Sequence, residues 1–290
     1  MAENNYNNHL AIGELPILRV VSTSDLIFHE EADEERLLNL VNRLGSESIL
    51  KNPPIVARVG NNGQFVILDG ANRVTALTKL GFKRIAVQLV NFDDPLLSLY
   101  CWNHAVEKLD QAYFSRKVRK MPGVKICDGP TDNIVESGVA EYNGRQFVCH
   151  LTSPDGVTIS ITSEGDLLQQ VHELREITDL YLSSPLHDRV SYNNLEHLKH
   201  NYPDFCTLVT FRRFDKDEFM SVVNNGLKLP AGVTRVFLPK RALGLNIPLE
   251  FLKSGLTIDE QNHWLEETIL RKVREKSIRF YREPTFVFDE

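Results

Sequence analysis

Apolar residues recur with two different periods along this chain. Between Glu34 and Leu44 they fall at Leu37, Leu38, Val41 and Leu44, the spacing of one helix face, and Gly45 reads as the stop. Pro54 to Val59 and Phe65 to Asp69 are instead compact apolar runs. Asn61-Asn62-Gly63 between them predicts a hairpin turn. Val74, Leu77 and Leu80 restore helical spacing until Gly81, and Arg84 to Val90 reads as a further strand. With a short strand at Leu18 to Val21, residues 15 to 92 predict a compact β/α unit.

Beyond it, Leu97, Leu99 and Cys101 alternate with Ser98, Tyr100 and Trp102, a half-buried strand pattern. A short helix is predicted over Gln111 to Lys120, and a β-meander over Val139 to Thr162, with turns at Tyr142-Asn143-Gly144 and Ser153-Pro154-Asp155-Gly156. Ser163, followed by Asp166, reads as the cap of a helix reaching Leu182. Cys206 to Phe211 is a strand. Asp215 caps a helix with Glu218 at its third position and Gly226 as its stop. Pro230 to Leu238 turns into a strand, Thr257 caps a long helix to Lys276, and Ile278 to Phe288 closes the chain as strand. The fold class is α+β. The organisation read from this is a loose tail over 1–14, a first domain over 15–121 and a second α+β domain over 122–290, with the boundary in the Pro/Gly-containing stretch 121 to 133.

Composition narrows the function classes. The chain has 290 residues, 42% hydrophobic and 25% charged, with a formal net charge of −6. That acidic balance argues against a protein whose main task is to coat nucleic acid. No apolar run reaches the length needed to span a bilayer, and the polar start lacks a signal-peptide pattern. Cys101, Cys127, Cys149 and Cys206 form no Cys-x-x-Cys pair, so reduced thiols in a cytoplasmic protein are expected.

The chemistry concentrates in Phe65-Val-Ile-Leu-Asp-Gly-Ala-Asn-Arg73. A strand that turns at Gly into a helix leaves backbone N–H groups pointing into the turn, where the helix dipole favours an anion such as phosphate. Arg73 adds a planar charged fork, and Asp69 at the strand end can meet a metal or a hydroxyl. Asp-Gly is also a common turn, and Arg in a first helical turn is often only solvated. His29-Glu30-Glu31 offers a carboxylate base or, more simply, an acidic helix start. Pro230-Ala-Gly-Val-Thr-Arg235 could hold a carboxylate through a hydroxyl and a guanidinium, or be a turn before a strand. Trp102 is a core residue or a substrate wall.

Val66-Ile-Leu-Asp-Gly-Ala-Asn-Arg-Val-Thr-Ala-Leu77 resembles the ParB/sulfiredoxin-like nucleotide-binding motif. Together with His29-Glu30, Trp102-Asn-His-Ala-Val106, Pro230-Ala-Gly-Val-Thr-Arg235 and Leu243-Gly-Leu-Asn-Ile-Pro-Leu249, it is similar to the free L-serine kinases of that superfamily, with cysteine, a siderophore or another product as the end of the pathway. The resemblance implies a ParB/sulfiredoxin-like N-terminal domain and a mixed α/β C-terminal domain that contributes to the serine site. It implies phosphoryl transfer from ATP or ADP to L-serine with Mg²⁺. Glu30 would be the base and Asp69 would stand beside the reacting groups and the metal. Gly70, Ala71, Asn72 and Arg73 would hold the nucleotide phosphates. Trp102, Thr234 and Arg235 would recognise the amino acid, Arg235 on its carboxylate.

Two positions depart from the pattern. Asn72 stands where the superfamily often has His, which removes a titrating proton relay, and Ala71 stands where sulfiredoxins need their cysteine, which disfavours thiol chemistry. The competing readings are a kinase for another small hydroxylated acid and a ParB-type nucleotide-binding regulator acting on DNA or a partner protein. The latter is disfavoured by the acidic balance and by the lack of a Gly-Glu-Arg-Arg-type motif. Oligomeric state is not specified by any of these features.

Overall fold

The computed structural model describes residues 15–109, 111–129, 141–142, 145–182 and 187–281. The expected tail over 1–14 lies outside them, as do most of the expected closing strand and the tip of the 142–144 turn.

The first part of the chain runs β1 (Ile17–Ser22), β2 (Leu26–Phe28), α1 (Glu34–Glu47), β3 (Ile49–Leu50), β4 (Ile55–Val59), β5 (Gln64–Asp69), α2 (Ala71–Lys79) and β6 (Arg84–Val90). Five of these strands form a mixed sheet in the order β1-β6-β4-β5-β2. Both faces of its centre are covered. Val56 and Ile67 pack into a cluster with Leu37, Val74 and Leu77, whereas Ile55, Ala57, Val66 and Leu68 pack on Phe219 and Val223 from the other side. Burial on two faces is why β4 and β5 read as continuous apolar runs rather than alternating ones.

The chain then forms β7 (Ser98–Cys101), β8 (Asn103–Glu107), α3 (Gln111–Val118), β9 (Val124–Asp128), β10 (Glu141–Tyr142), β11 (Arg145–Thr152), β12 (Thr158–Ser163), α4 (Leu167–Leu182), β13 (His187–Val190), α5 (Leu195–Asn201) and β14 (Phe205–Phe211). A second sheet has the order β13-β8-β14-β11-β12-β9, with β10 on β11. Val171, Leu174 and Ile177 of α4 bury against it beside Val148, Ile161 and Val209. Finally come α6 (Lys216–Asn224), β15 (Thr234–Phe237), β16 (Ile247–Pro248), α7 (Leu249–Leu252) and α8 (Ile258–Arg274).

These last elements return to the first sheet. β15 pairs with β7, β16 pairs with β3, and the Asn262 side chain of α8 exchanges two hydrogen bonds with the backbone of Val20. β8, which precedes residue 121, pairs into the second sheet with β13 and β14. The chain therefore crosses between the two sheets several times, and the cleft described below draws its lining from both of them, from Glu30 to Arg189.

Three local expectations differ from what is found. α1 runs through Gly45 to Glu47 and ends at Ser48, whose φ of 55° supplies the left-handed cap that a glycine was expected to give. Ser163 belongs to β12 and its hydroxyl accepts from the Gly165 amide; Asp166 caps α4 by accepting from the Gln169 amide. Ile278 to Tyr281 form no strand. The Asp215–Glu218 and Thr257–Glu260 capping boxes are both present.

Candidate active site

The Asp-Gly turn joins β5 to α2. Gly70 is the N-cap, with φ of 94° and no side chain to cap the helix, so the first amides of α2 open onto the turn. A Cβ at Gly70 would lie 3.1 Å from Pro54 Cα and 3.1 Å from Arg73 Nε, so both conformation and space call for glycine. Arg73 braces the turn: Nη1 donates to the carbonyls of Asn52 at 2.9 Å and Pro53 at 3.3 Å, and Nη2 to Asp69 Oδ2 at 3.4 Å. Asn72 Oδ1 accepts from the Asp33 amide at 3.0 Å, which fixes the start of α1 against the turn.

Asp69 carries a second guanidinium that the sequence motif did not signal, because Arg241 reaches it from the C-terminal part of the chain. Burial pushes the Asp69 carboxyl up. Arg73, Arg241 and the Gly70 amide outweigh that and hold it below the usual carboxylate range.

Glu30 is bound to the loop that carries Thr234. The Glu31 amide donates to the Leu229 carbonyl at 2.9 Å and the Leu229 amide to the His29 carbonyl at 2.8 Å. The Thr234 hydroxyl donates to Glu30 Oε2 at 3.0 Å and lies 2.6 Å from His29 Nε2. His29 is buried, with Nδ1 against the Ile67 carbonyl and its ring 4.9 Å from that of Phe219. A carbonyl only accepts, so Nδ1 carries a proton.

The same loop is anchored from beneath. His104, fully buried, has Nε2 3.0 Å from the Gly232 carbonyl and Nδ1 2.9 Å from the Tyr181 hydroxyl. Burial pushes its pKa down to about 3, the Gly232 bond opposing, so the ring is neutral: Nε2–H donates to Gly232 and Nδ1 accepts from Tyr181.

Trp102 and Arg235 meet each other. The Trp102 amide donates to the Val233 carbonyl at 2.9 Å, and the pairing of β15 with β7 sets Arg235 opposite Tyr100. The Arg235 guanidinium lies over the Trp102 ring at 4.2 Å and the Phe237 ring at 4.5 Å, both cation–π distances.

A cleft of about 580 Å³ brings Glu30 together with Asp69, Gly70, Ala71, Asn72 and Arg73. Trp102, Thr234 and Arg235 are not among its lining residues; Thr234 reaches it through Glu30. Sequence reasoning missed Arg36, Asn39, Leu40 and Arg43 of α1, and Arg189 of β13. The α1 residues had a signal: their spacing is that of a helix face adjoining the one that carries Leu37, Val41 and Leu44. Among the described residues no cluster of three or more His, Cys, Asp or Glu side chains could hold a metal by itself, and no helix is long and apolar enough to cross a membrane.

The architecture is α+β, with an anion-type turn facing a carboxylate held by a loop from the far end of the chain, and it is the fold of the free serine kinases. A protein named ATP-dependent L-serine kinase SbnI from Staphylococcus aureus is 23% identical over 270 residues, covering 85% of this chain and 88% of that one. The ATP-dependent L-serine kinase of Desulfurococcus mucosus is 23% identical over 239 residues, covering 82% and 91%. A solved structure of a free serine kinase in complex with AMP superposes with a TM-score of 0.64 at 18% identity, over 81% of this chain and 93% of that one. The C-terminally truncated SbnI structure gives 0.64 at 19% identity, over 88% and 96%. No family model matches the chain.

Proposed function

We propose that this protein is an ATP-dependent L-serine kinase that forms O-phospho-L-serine and ADP. The observation that carries this reading is the placement of Glu30 in one cleft with the Asp69-Gly70 turn, its carboxylate already accepting a hydroxyl hydrogen from Thr234 at 3.0 Å. The two relatives described above, each covering most of its own length, bear the same activity in their names.

In this mechanism the amides of Ala71, Asn72 and Arg73 receive the nucleotide phosphates at the start of α2. The arginines of α1, Arg36 and Arg43, line the same cleft and supply positive charge along the nucleotide. Glu30 accepts the proton of the serine hydroxyl as the serine oxygen bonds to the terminal phosphorus and the bond from that phosphorus to the ADP oxygen breaks. Arg73 and Arg241 oppose the negative charge that gathers at the transferring group, and positioning of this kind supplies most of the acceleration in phosphoryl transfer. Trp102, Thr234 and Arg235 form the amino-acid side.

Asp69 fits a magnesium ion brought in on the nucleotide. It is an ionised carboxylate at the phosphate turn, and Mg²⁺ is commonly held by one or two carboxylates plus phosphate oxygens and water. Such an ion would neutralise phosphate charge. A cytoplasmic site of action belongs to the same proposal.

Incubation with L-serine, Mg²⁺ and ATP, read by mass spectrometry for O-phosphoserine, tests the reading. A parallel reaction with ADP decides the donor. Absence of phosphoserine with either nucleotide would sink it, and phosphorylation of a different hydroxy acid in preference would replace the substrate.

A further inference from the structure

Arg189 stands in the cleft with no role assigned by the sequence motifs. It lies on β13, opposite His104 of β8, and its side chain crosses the Ala-Gly-Val-Thr-Arg loop at Gly232. A Cβ at Gly232 would be 1.9 Å from Arg189 Nε and 2.2 Å from Cζ, and Gly232 has φ of 72°. The glycine of that loop is therefore needed to let this guanidinium pass. Nη2 pairs with Asp33 Oδ2 at 3.3 Å, while Nε is buried without a hydrogen-bond partner among the described residues. A buried donor on a charged group is costly to leave unpaired, so the site is built for something that arrives.

What arrives is constrained by the neighbours. The phosphate turn at Gly70 already has its own amides and Arg73. Arg189 packs against Gly232 of the acceptor loop, shares Asp33 with Arg36, and lines the same cleft as Glu30, whose charge is the strongest of those favouring its cationic form. That is where the body of the acceptor must lie if its hydroxyl is to reach Glu30. Arg235, by contrast, is stacked over Trp102 and Phe237 and is not among the residues that line the cleft. Building on the kinase reading above, we propose that Arg189 binds the carboxylate of the acceptor amino acid, its planar fork giving Nε–H and a terminal N–H to the two oxygens. The Arg235–Trp102 stack then forms a wall of the acceptor site rather than its carboxylate clamp.

The test compares L-serine with L-serinamide, which keeps the hydroxyl and lacks the carboxylate, as acceptors for the wild type, Arg189→Gln and Arg189→Lys. Nucleotide affinity is measured alongside by titration with ATP. For Arg189→Gln the proposal expects KM for L-serine to rise about 10- to 100-fold, with nucleotide affinity within about twofold. The wild-type preference for serine over serinamide should collapse in the same variant, and Arg189→Lys should recover part of it. If Arg189→Gln keeps that preference, or loses nucleotide affinity instead, the carboxylate assignment is overturned while the kinase reading stands. If the wild type phosphorylates neither acceptor yet binds ATP, the kinase reading falls and the assignment with it.

Discussion

The Thr234 hydroxyl donates to Glu30 Oε2 at 3.0 Å from a strand two hundred residues further along the chain. Thr234 Oγ1 is also 2.6 Å from His29 Nε2, so in a neutral His29 ring one hydroxyl proton faces two acceptors. When it points to Glu30 it stabilises the carboxylate; when it points to His29 it leaves Glu30 free to take a substrate proton. Thr234→Val should therefore lower kcat by roughly 10-fold or more, with nucleotide affinity unchanged. Thr234→Ser should retain most of the activity. Steady-state kinetics of the two variants decide it: equal kcat in Val and Ser variants would remove the hydroxyl from the mechanism. Glu30→Gln should lose about 10²- to 10⁴-fold in kcat while still binding ATP.

How much of this was legible in the sequence can be argued from particular residues. The β5–α2 turn was readable because its strand is apolar on both faces, its glycine is required by φ, and Val74 and Leu77 keep strict helical spacing. The pairing of Glu30 with Thr234 was suggested only by resemblance, since no local pattern encodes a contact across so long a separation. β8 was hidden because Asn-His-Ala-Val-Glu carries no apolar alternation and buries a polar residue, His104; the break at Trp102 is made by a backbone bond to Val233, a tertiary event. Arg189 left no trace because β13 is only four residues long, His-Asp-Arg-Val, with a single aliphatic residue. Gly45 misled because a glycine can be carried inside a helix when other residues hold it, at a cost of about 1 kcal/mol.

Gly70 gives a prediction about backbone geometry. Alanine there would have to adopt φ near 94° and press its Cβ to 3.1 Å from the Pro54 backbone. The turn must shift, and with it the open amides of α2. Gly70→Ala should cost about 1–3 kcal/mol of stability and weaken nucleotide binding at least tenfold, whereas Gly81→Ala, also at positive φ but with open space around it, should affect stability alone. Chemical denaturation and nucleotide titration of the two variants separate these effects. Undisturbed nucleotide affinity in Gly70→Ala would place the phosphates elsewhere.

Arg241 gives a prediction about Asp69. Burial raises the Asp69 carboxyl, and Arg73 and Arg241 together bring it below its ordinary value of 3.8. A depressed folded value means that the stabilisation is present above that ordinary value and is lost as pH falls through the lower folded one. Removing one of the two guanidiniums in Arg241→Ala should move the Asp69 titration upward, toward or past 3.8, as read by carboxyl-carbon NMR. Turnover should fall at the same time, because the transferring phosphoryl group loses a cation. An unmoved titration would mean that Arg241 is screened by solvent at this half-exposed position.

His104 links the acceptor loop to pH. Burial, first among its causes, takes the ring from an ordinary 6.5 to about 3, with His187, Arg189 and Arg36 adding to the effect and the Gly232 bond opposing it. The folded protein therefore declines a proton that the unfolded chain accepts below about pH 6.5. Stability must fall as pH drops from 6.5 toward 3, by a few kcal/mol in all, because the unfolded state binds more protons throughout that window. Full protonation would make Nδ1 a donor, which the Tyr181 hydroxyl can turn to accept while Nε2 keeps its bond to Gly232, so the cost is the buried charge itself beneath the loop that carries Thr234. His104→Gln, whose amide can still donate to Gly232, should flatten the pH dependence of urea-unfolding free energy across this window. His150, pushed down to about 4 by burial, contributes a separate slope that the variant retains. The comparison is therefore between slopes: if His104→Gln unfolds with the wild-type pH dependence, His104 is not the group that ties this loop to the proton.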